Sequence, residues 1–136
     1  MGARVSAVTA GARYRTEITS EGHALVADEG RALGGADAGF PPFTLVLAGL
    51  AACTGITLRM YAERKGWPDV ALTIELELRA GQDPADKDRR LIHRRVTVTG
   101  APDEAGVARL RDIVERTPVT LALKAGFDIE TDLSAA

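Results

Sequence analysis

The sequence predicts an α+β fold in which a mostly antiparallel sheet packs against one long, very apolar helix. Segments with strand-like alternation lie on both sides of one long helical stretch, Pro41–Trp67. Two further helices follow the second group of strands. Segregated runs of strands and helices are typical of α+β proteins rather than of parallel α/β folds. With 136 residues, the chain is expected to form one domain over residues 1–136.

The stretch Pro41–Trp67 has the features of a core helix, buried on several sides. Prolines open it, where a missing N–H costs little, and Gly66 marks its end. No charged residue occurs from Phe43 to Leu58. Because this run is shorter than the roughly 20 residues that span a bilayer, we favour a buried helix over a transmembrane one. Its small residues predict close packing on another helix, from a second copy of the chain or, alternatively, from the same chain. These residues are Ala48, Gly49, Ala51, Ala52 and Gly55.

Alternation and turn residues predict the remaining elements. Three short strands form a meander before the long helix, and an antiparallel hairpin, two helices and a last strand follow it. The predicted strands are Arg4–Ala10, Ala12–Thr19, His23–Ala27, Val70–Arg79, Leu91–Thr99 and Phe127–Leu133. One short helix begins at Pro102, and another covers Val119–Lys124 and is stopped by Gly126. The arginines at positions 89, 90, 94 and 95 are expected on the solvent face and at the ends of a strand.

Composition argues against several classes of function. The net charge of −2 disfavours nucleic acid or an anionic membrane as the main partner. A single cysteine cannot form an internal disulfide, and the first ten residues contain no apolar signal segment, so a cytoplasmic location is expected. His23 and His93 show no metal-ligand spacing with a cysteine or an acidic residue. The glycine-rich segment Asp28–Phe40 lacks the Gly-Lys-Ser/Thr ending of a phosphate-binding loop. We therefore expect neither a metal nor another cofactor.

Cys53 is the first candidate for chemistry, with inert packing as the alternative. The thiolate is the reactive form of a cysteine, and a lone cysteine on an apolar helix usually serves in packing. Cys53 lies about three turns into the predicted helix, so the dipole of that helix stabilises its thiolate little. A reactive Cys53 therefore requires a cation from elsewhere. Arg13 and Arg15 are the candidates, and their alternative role is that of solvated strand residues.

Several motifs occur together around the apolar helix. The helix carries Leu50-Ala51-Ala52-Cys53-Thr54, its end is Arg64-Lys65-Gly66-Trp67-Pro68, and Gly34-Gly35-Ala36-Asp37-Ala38-Gly39 leads into it. With the spacing to Thr117-Pro118-Val119, these motifs resemble the OsmC/Ohr family (osmotically inducible protein C and organic hydroperoxide resistance protein). The similarity is closest to its OsmC-like branch and covers nearly the whole chain. The resemblance implies an intertwined homodimer of α+β subunits with the long helices at its centre.

The resemblance also implies a chemistry. In active members of the family, a helix cysteine attacks the O–O bond of an organic hydroperoxide and becomes a sulfenic acid. A second cysteine resolves it as a disulfide, an arginine and a glutamate prepare the first thiolate, and external thiols reduce the disulfide. Here Cys53 matches the first cysteine, but Thr44 stands at the glutamate position. Thr117 replaces the second cysteine, and Thr120 replaces a histidine of the same motif. A two-cysteine mechanism is excluded, because the chain has no second thiol.

Three functions remain after these departures, of which we favour the first two. The first is thiol-dependent reduction of organic hydroperoxides through Cys53 alone, in a one-cysteine or weakened form, with an external thiol or Cys53 of another chain resolving the sulfenic acid. The second is a non-catalytic homologue that binds a small apolar ligand in a pocket at the dimer interface. A purely structural interaction domain is a third alternative. The expected partners are a second copy of the chain, a hydroperoxide or apolar ligand, and an external thiol, with no nucleic acid and no membrane.

Overall fold

The computed structural model describes residues 2–136, whose regular elements are two antiparallel sheets, three α-helices and one 3₁₀ turn. These elements belong to two compact units. One unit ends at Ala48, and the other runs from Gly49 to Ala136. The α+β class and the antiparallel pairing expected from the sequence are confirmed. The assignment of a single domain to residues 1–136 stays a prediction.

The first unit contains the expected meander of three strands, in the order β1, β2, β3. The strands are β1 (Ser6–Thr9), β2 (Thr16–Ser20) and β3 (His23–Ala27). Glu21 and Gly22 connect β2 to β3 with φ values of 47° and 84°. Two positive φ values are those of a tight turn whose twist matches that of the flanking strands. The strand expected from Ala12 begins only at Thr16, because the backbone N–H of Arg15 bonds to the carbonyl of Ala12 and closes a turn.

A glycine-rich connection with one 3₁₀ turn, Arg31–Leu33, follows β3. A Cβ atom at Gly35 would clash with the backbone carbonyl of Glu29, and one at Gly39 would clash with that of Val26. The two glycines thus allow the connection to fold back closely on β3 and on itself. These glycines belong to the motif that resembles the OsmC/Ohr family, and their role in this unit is close backbone packing.

Asp28 holds this connection together through its buried carboxylate. The side chain is 3% exposed and accepts hydrogen bonds from the backbone N–H groups of Glu29, Ala36 and Ala38 at 2.8, 3.2 and 3.2 Å. Burial opposes ionisation of the carboxyl group. The three N–H donors and the charge of Arg15 outweigh burial and hold the pKa of Asp28 below its ordinary value of 3.8.

Replacing Asp28 with asparagine is expected to lower the urea midpoint of unfolding at neutral pH. Because the pKa of Asp28 is lowered in the folded state, its ionised form stabilises the fold above the ordinary pKa of 3.8, and this contribution is lost as the pH falls through the lower pKa of the folded state. The difference between wild type and Asp28→Asn should therefore disappear in acid. The control is Asp37→Asn, which removes the same charge from an exposed position in the same connection. A difference that is independent of pH would contradict this account.

The predicted long helix is observed as α1 (Pro42–Arg64). Gly66, whose φ is 74°, closes the helix two residues after Arg64. There the N–H groups of Gly66 and Trp67 donate to the carbonyls of Glu63 and Ala62, respectively. A left-handed glycine is the usual way to close a helix. By length and composition alone, α1 could cross a membrane, but the core helix of a soluble protein passes the same test. Four residues at intervals of four form its buried stripe: Leu50, Thr54, Leu58 and Ala62.

Burial of α1 on several sides is not observed within the second unit. Ile56 and Met60, two large apolar side chains of the helix, are 55% and 57% exposed. The prediction that the small residues pack on a helix of a second copy stays a prediction, and within one chain the two glycines differ. A Cβ at Gly55 would lie 2.9 Å from Cδ1 of Ile74, so this glycine makes room for a strand side chain. A Cβ at Gly49 would meet nothing within 4 Å.

The second unit is built on a hairpin, which is followed by two helices. Strands β4 (Ala71–Arg79) and β5 (Leu91–Thr99) pair antiparallel, and the helices are α2 (Glu104–Val114) and α3 (Pro118–Ala125). The carboxylate of Asp103 caps α2 by accepting the N–H of Gly106 at 2.8 Å. The most deeply buried apolar side chains are Leu58, Ala62, Val70 and Leu110.

The last strand expected from the sequence, Phe127–Leu133, is not formed. Phe127, Ile129 and Leu133 are 68%, 85% and 91% exposed, and no strand described in residues 2–136 pairs with this segment. Alternation of apolar and polar residues is not sufficient for a strand, because its backbone N–H and C=O groups also need a neighbouring strand. The prediction was therefore wrong for this chain taken alone.

Candidate active site

Cys53 lies on α1 within the second unit, and its free thiol is half-buried. The backbone N–H of Val119 donates a hydrogen bond to Sγ of Cys53 across 3.5 Å. On the helix itself, the hydroxyl of Thr57 lies 3.8 Å from the same sulfur. The thiol therefore has one backbone donor from another helix and one hydroxyl from its own helix.

The donor at Val119 belongs to the N-terminus of α3. Thr117 is the residue before this helix, Pro118 is its first residue, and the first helical hydrogen bond runs from the N–H of Leu121 to the carbonyl of Thr117 at 3.0 Å. The N–H groups in the first turn of a helix have no partner within the helix. They also carry the positive end of the helix dipole, which stabilises a nearby thiolate. The fold thus supplies at Cys53 the partial positive charge that α1 cannot supply.

Arg94 connects α3 to α1. Its Nη1 donates to Oγ1 of Thr54 at 2.9 Å and to Oγ1 of Thr120 at 2.8 Å. Its Nη2 donates to the carbonyl of Val114 at 3.0 Å. Thr54 and Thr120 adjoin Cys53 and Val119 in sequence. The guanidinium therefore fixes the neighbours of the thiol and of its backbone donor with a single planar group.

The threonine hydroxyls of this network are buried and fully engaged. Oγ1 of Thr54 donates to the carbonyl of Leu50 at 2.7 Å while it accepts from Arg94. Oγ1 of Thr117 lies 2.6 Å from that of Thr120. Thr54, Thr117 and Thr120 are 0%, 0% and 5% exposed. Thr117 and Thr120 stand where the resemblance implies a cysteine and a histidine; here their hydroxyls bind each other, and that of Thr120 also accepts from Arg94.

The expectation that Arg94 lies on the solvent face of its strand was wrong. In β5, Arg94 shares the inner face with Ile92, Val96 and Val98, which are partly buried, whereas Arg95 is exposed on the other face. The sequence contained a signal for this position, since residues at intervals of two share a face. An arginine counts as polar in such a pattern, so the pattern did not reveal that the fold offers its guanidinium three acceptors.

The other predicted site residues lie in the first unit. Nη1 of Arg15 pairs with Oε1 of Glu17 at 2.7 Å, and the guanidinium of Arg13 lies 5.1 Å from the ring centre of Tyr14. Thr44 is exposed near the start of α1. The assignment of Arg13 or Arg15 as the activating cation stays a prediction. Within residues 2–136, no group of three or more His, Cys, Asp or Glu side chains is arranged to hold a metal ion.

The fold and the site define a class of protein: an α+β thiol protein whose one cysteine, on a long helix, faces the N-terminus of a second helix. The family model described as OsmC-like protein matches residues 34–132. The match covers well over half of the chain, so this protein belongs to the OsmC-like family. The family that the sequence resembles is thereby confirmed.

Solved structures show the same fold at low sequence identity. The OsmC-like protein of Mycoplasma pneumoniae is 19% identical, with 91% of this chain and 88% of that chain covered and a TM-score of 0.67. The organic hydroperoxide resistance protein OsmC of Legionella pneumophila is 24% identical, with 91% and 90% covered and a TM-score of 0.65. The organic hydroperoxide resistance protein OhrB of Bacillus subtilis is 24% identical, with 89% of each chain covered and a TM-score of 0.58. No curated protein sequence matches this chain.

Proposed function

We propose that this protein reduces organic hydroperoxides through Cys53 alone, with an external thiol as the reductant. The observation that carries the proposal is the N–H of Val119, which lies 3.5 Å from Sγ of Cys53 at the positive end of α3. Membership in the OsmC-like family and similarity in fold to two organic hydroperoxide resistance proteins support the same activity.

The proposed reaction begins with attack of the Cys53 thiolate on the terminal oxygen of the hydroperoxide. The O–O bond breaks, the sulfur gains a hydroxyl group as sulfenic acid, and the organic alkoxide leaves and takes up a proton to become an alcohol. The chain has a single cysteine, so a thiol from outside the chain then displaces this hydroxyl group as water. The backbone donor at Val119 stabilises the thiolate before the attack.

Two further parts of the proposal concern the state of the protein. We expect a homodimer, and the exposed apolar side chains of Ile56 and Met60 on α1 and of Ile129 and Leu133 near the C-terminus support it. Sedimentation equilibrium would measure the state, and a monomer at micromolar concentration would contradict it. We also propose that residues 1–136 form one domain. We place the protein in the cytoplasm, because a reducing compartment supplies the external thiol.

A second candidate function is the binding of a small apolar ligand without catalysis. It is favoured by an open cavity of about 480 Å³ in the second unit. Gly55, Ile56, Met60 and Leu72 provide its apolar lining, and Arg59 and Glu63 lie at its polar part. A homologue of this kind would bind an apolar probe and would leave Cys53 unoxidised by a hydroperoxide.

The test is oxidation of the reduced protein with one equivalent of an alkyl hydroperoxide. We expect rapid loss of one thiol per chain and a sulfenic acid at Cys53, which a cyclic 1,3-diketone traps as an adduct visible by mass spectrometry. With excess external thiol, the hydroperoxide should be consumed in repeated turnovers. A thiol that is oxidised no faster than a free, unfolded peptide containing Cys53 would overturn the proposal.

A further inference from the structure

A cavity of about 390 Å³ in the second unit carries an excess of positive charge. Its volume lies in the range of small-molecule sites. The charged residues that line it are Arg89, Arg90, Arg94, Lys124 and Glu115. Nζ of Lys124 pairs with Oε2 of Glu115 at 3.0 Å, so these two charges offset each other. Arg89 and Arg94 also line the cavity, and their positive charges make it attractive to an anion.

Among the charged residues of the cavity, Arg94 gives the strongest argument for an anionic ligand, because it is half-buried. Its hydrogen bonds all lead to uncharged groups, namely two threonine hydroxyls and the carbonyl of Val114. Among the residues that the structure describes, no carboxylate lies within ion-pair distance of it. A half-buried guanidinium without a counter-ion favours an anionic group next to it.

The same cavity adjoins the sulfur site through two of its lining residues. Thr120 directly follows Val119, the donor to Sγ of Cys53. Leu50 lies three residues before Cys53 on α1, and residues at this spacing are neighbours on a helix surface. The cavity is therefore lined by residues of both α1 and α3, the two helices that carry Cys53 and its backbone donor.

We infer that this cavity binds the external thiol and that the thiol it accepts is a small anionic one, carrying a carboxylate or sulfonate. The inference rests on the proposed function for its place in the catalytic cycle. The anionic group binds near Arg89 and Arg94, and the short carbon chain lies along Leu50, Ile92 and Leu123. A thiol held in this way lies against α1 and α3, the helices that carry Cys53 and its backbone donor.

The chemistry balances with two molecules of this thiol. The sulfur of the first attacks the sulfur of the Cys53 sulfenic acid, an S–S bond forms, the S–O bond breaks, and the hydroxyl leaves as water with the proton of the thiol. The second thiol attacks the mixed disulfide, which returns Cys53 to its reduced form and releases a symmetrical disulfide. Two thiols are oxidised for each hydroperoxide reduced.

The test uses a mixed disulfide of Cys53 with 2-thiopyridine, which forms without any hydroperoxide. Release of the pyridine group is followed with three thiols of the form HS–CH₂–CH₂–X, in which X is sulfonate, hydroxyl or ammonium, and each rate is divided by the thiolate concentration. We expect the sulfonate to react about tenfold faster than the hydroxyl compound at low ionic strength, and the ammonium compound to be the slowest. This advantage should shrink as salt is added.

Arg89→Gln is the variant that tests the cavity, with Lys87→Gln as the matched control in the same turn, because Lys87 does not line the cavity. Arg89→Gln should reduce the advantage of the sulfonate several-fold and leave the hydroxyl compound unaffected, whereas Lys87→Gln should change neither rate. Rates that are independent of the charge of the thiol would overturn the inference. Failure of the hydroperoxide to oxidise Cys53 would instead overturn the proposed function, since the thiol exchange is measured without it.

Discussion

Replacement of Cys53 by serine is expected to abolish the consumption of organic hydroperoxide in the presence of an external thiol. The reaction needs a thiolate that attacks the O–O bond, and a serine hydroxyl does not ionise near neutral pH. The chain has no other cysteine that could act in its place. The rate should therefore fall to that of the thiol and hydroperoxide without protein. A coupled assay of hydroperoxide loss and disulfide formation measures both sides of the reaction.

Two controls separate loss of chemistry from loss of fold. Wild-type protein blocked with iodoacetamide should match Cys53→Ser in the assay, and both should unfold in urea near the midpoint of untreated wild type. Cys53→Ala tests whether the polarity of serine disturbs the half-buried position. Residual turnover in a folded Cys53→Ser protein would show that another group reduces the hydroperoxide.

Replacement of Arg94 by glutamine is expected to slow the alkylation of Cys53 about three- to tenfold at neutral pH. Arg94 donates hydrogen bonds to Thr120 in the first turn of α3 and to Thr54 on α1, next to Cys53. It thereby holds the two helices together beside the sulfur. The interaction of a charge with a helix terminus contributes about 0.3–2 kcal/mol, or roughly a 2- to 30-fold change in rate, and the expected effect lies in the middle of this range. Stability should also fall by about 1–3 kcal/mol, because buried hydroxyls lose a charged donor.

The matched control is Arg95→Gln, which removes the same charge from the neighbouring position on the exposed face of β5. It should leave both the alkylation rate of Cys53 and the urea midpoint close to those of wild type. Arg94→Lys keeps the charge but not the planar fork, so it should restore the alkylation rate only in part. If Arg94→Gln lowered the free energy of unfolding and left the alkylation rate of Cys53 unchanged, Arg94 would have a purely structural role.

Much of the fold could be predicted because the signals are local. The bounds of β5 and the end of α1 at Gly66 follow from alternation and from a left-handed glycine, both of which the sequence shows directly. The segment Phe127–Leu133 has the same alternation, yet it forms no strand. The difference lies in the partner, since β5 pairs with β4, whereas no strand in residues 2–136 pairs with the C-terminal segment. The alternation of apolar and polar residues within one segment contains no information about which strand, if any, lies beside it.

Of the hydrogen-bond network around the candidate thiol, the sequence singled out Cys53 but neither its backbone donor nor Arg94. Val119 lies 66 positions further along the chain than Cys53, and Arg94, which binds Thr54 and Thr120, lies on a different element from either. The resemblance to the family marks Thr117 and Thr120 only as departures from its cysteine and histidine. The structure shows them as buried members of a hydrogen-bond network. Hydrogen bonds between distant elements depend on tertiary packing, which local patterns do not specify.

The contact between Val119 and Cys53 has an evolutionary consequence, because its donor is part of the main chain. Every amino acid except proline carries the same N–H group, so position 119 can vary widely while the sulfur keeps its hydrogen bond. Selection on this feature would act on the path of the backbone, through residues such as Pro118 and Arg94, rather than on the identity of residue 119. Distant relatives are therefore expected to share this hydrogen bond to the cysteine sulfur without sharing the side chain at position 119.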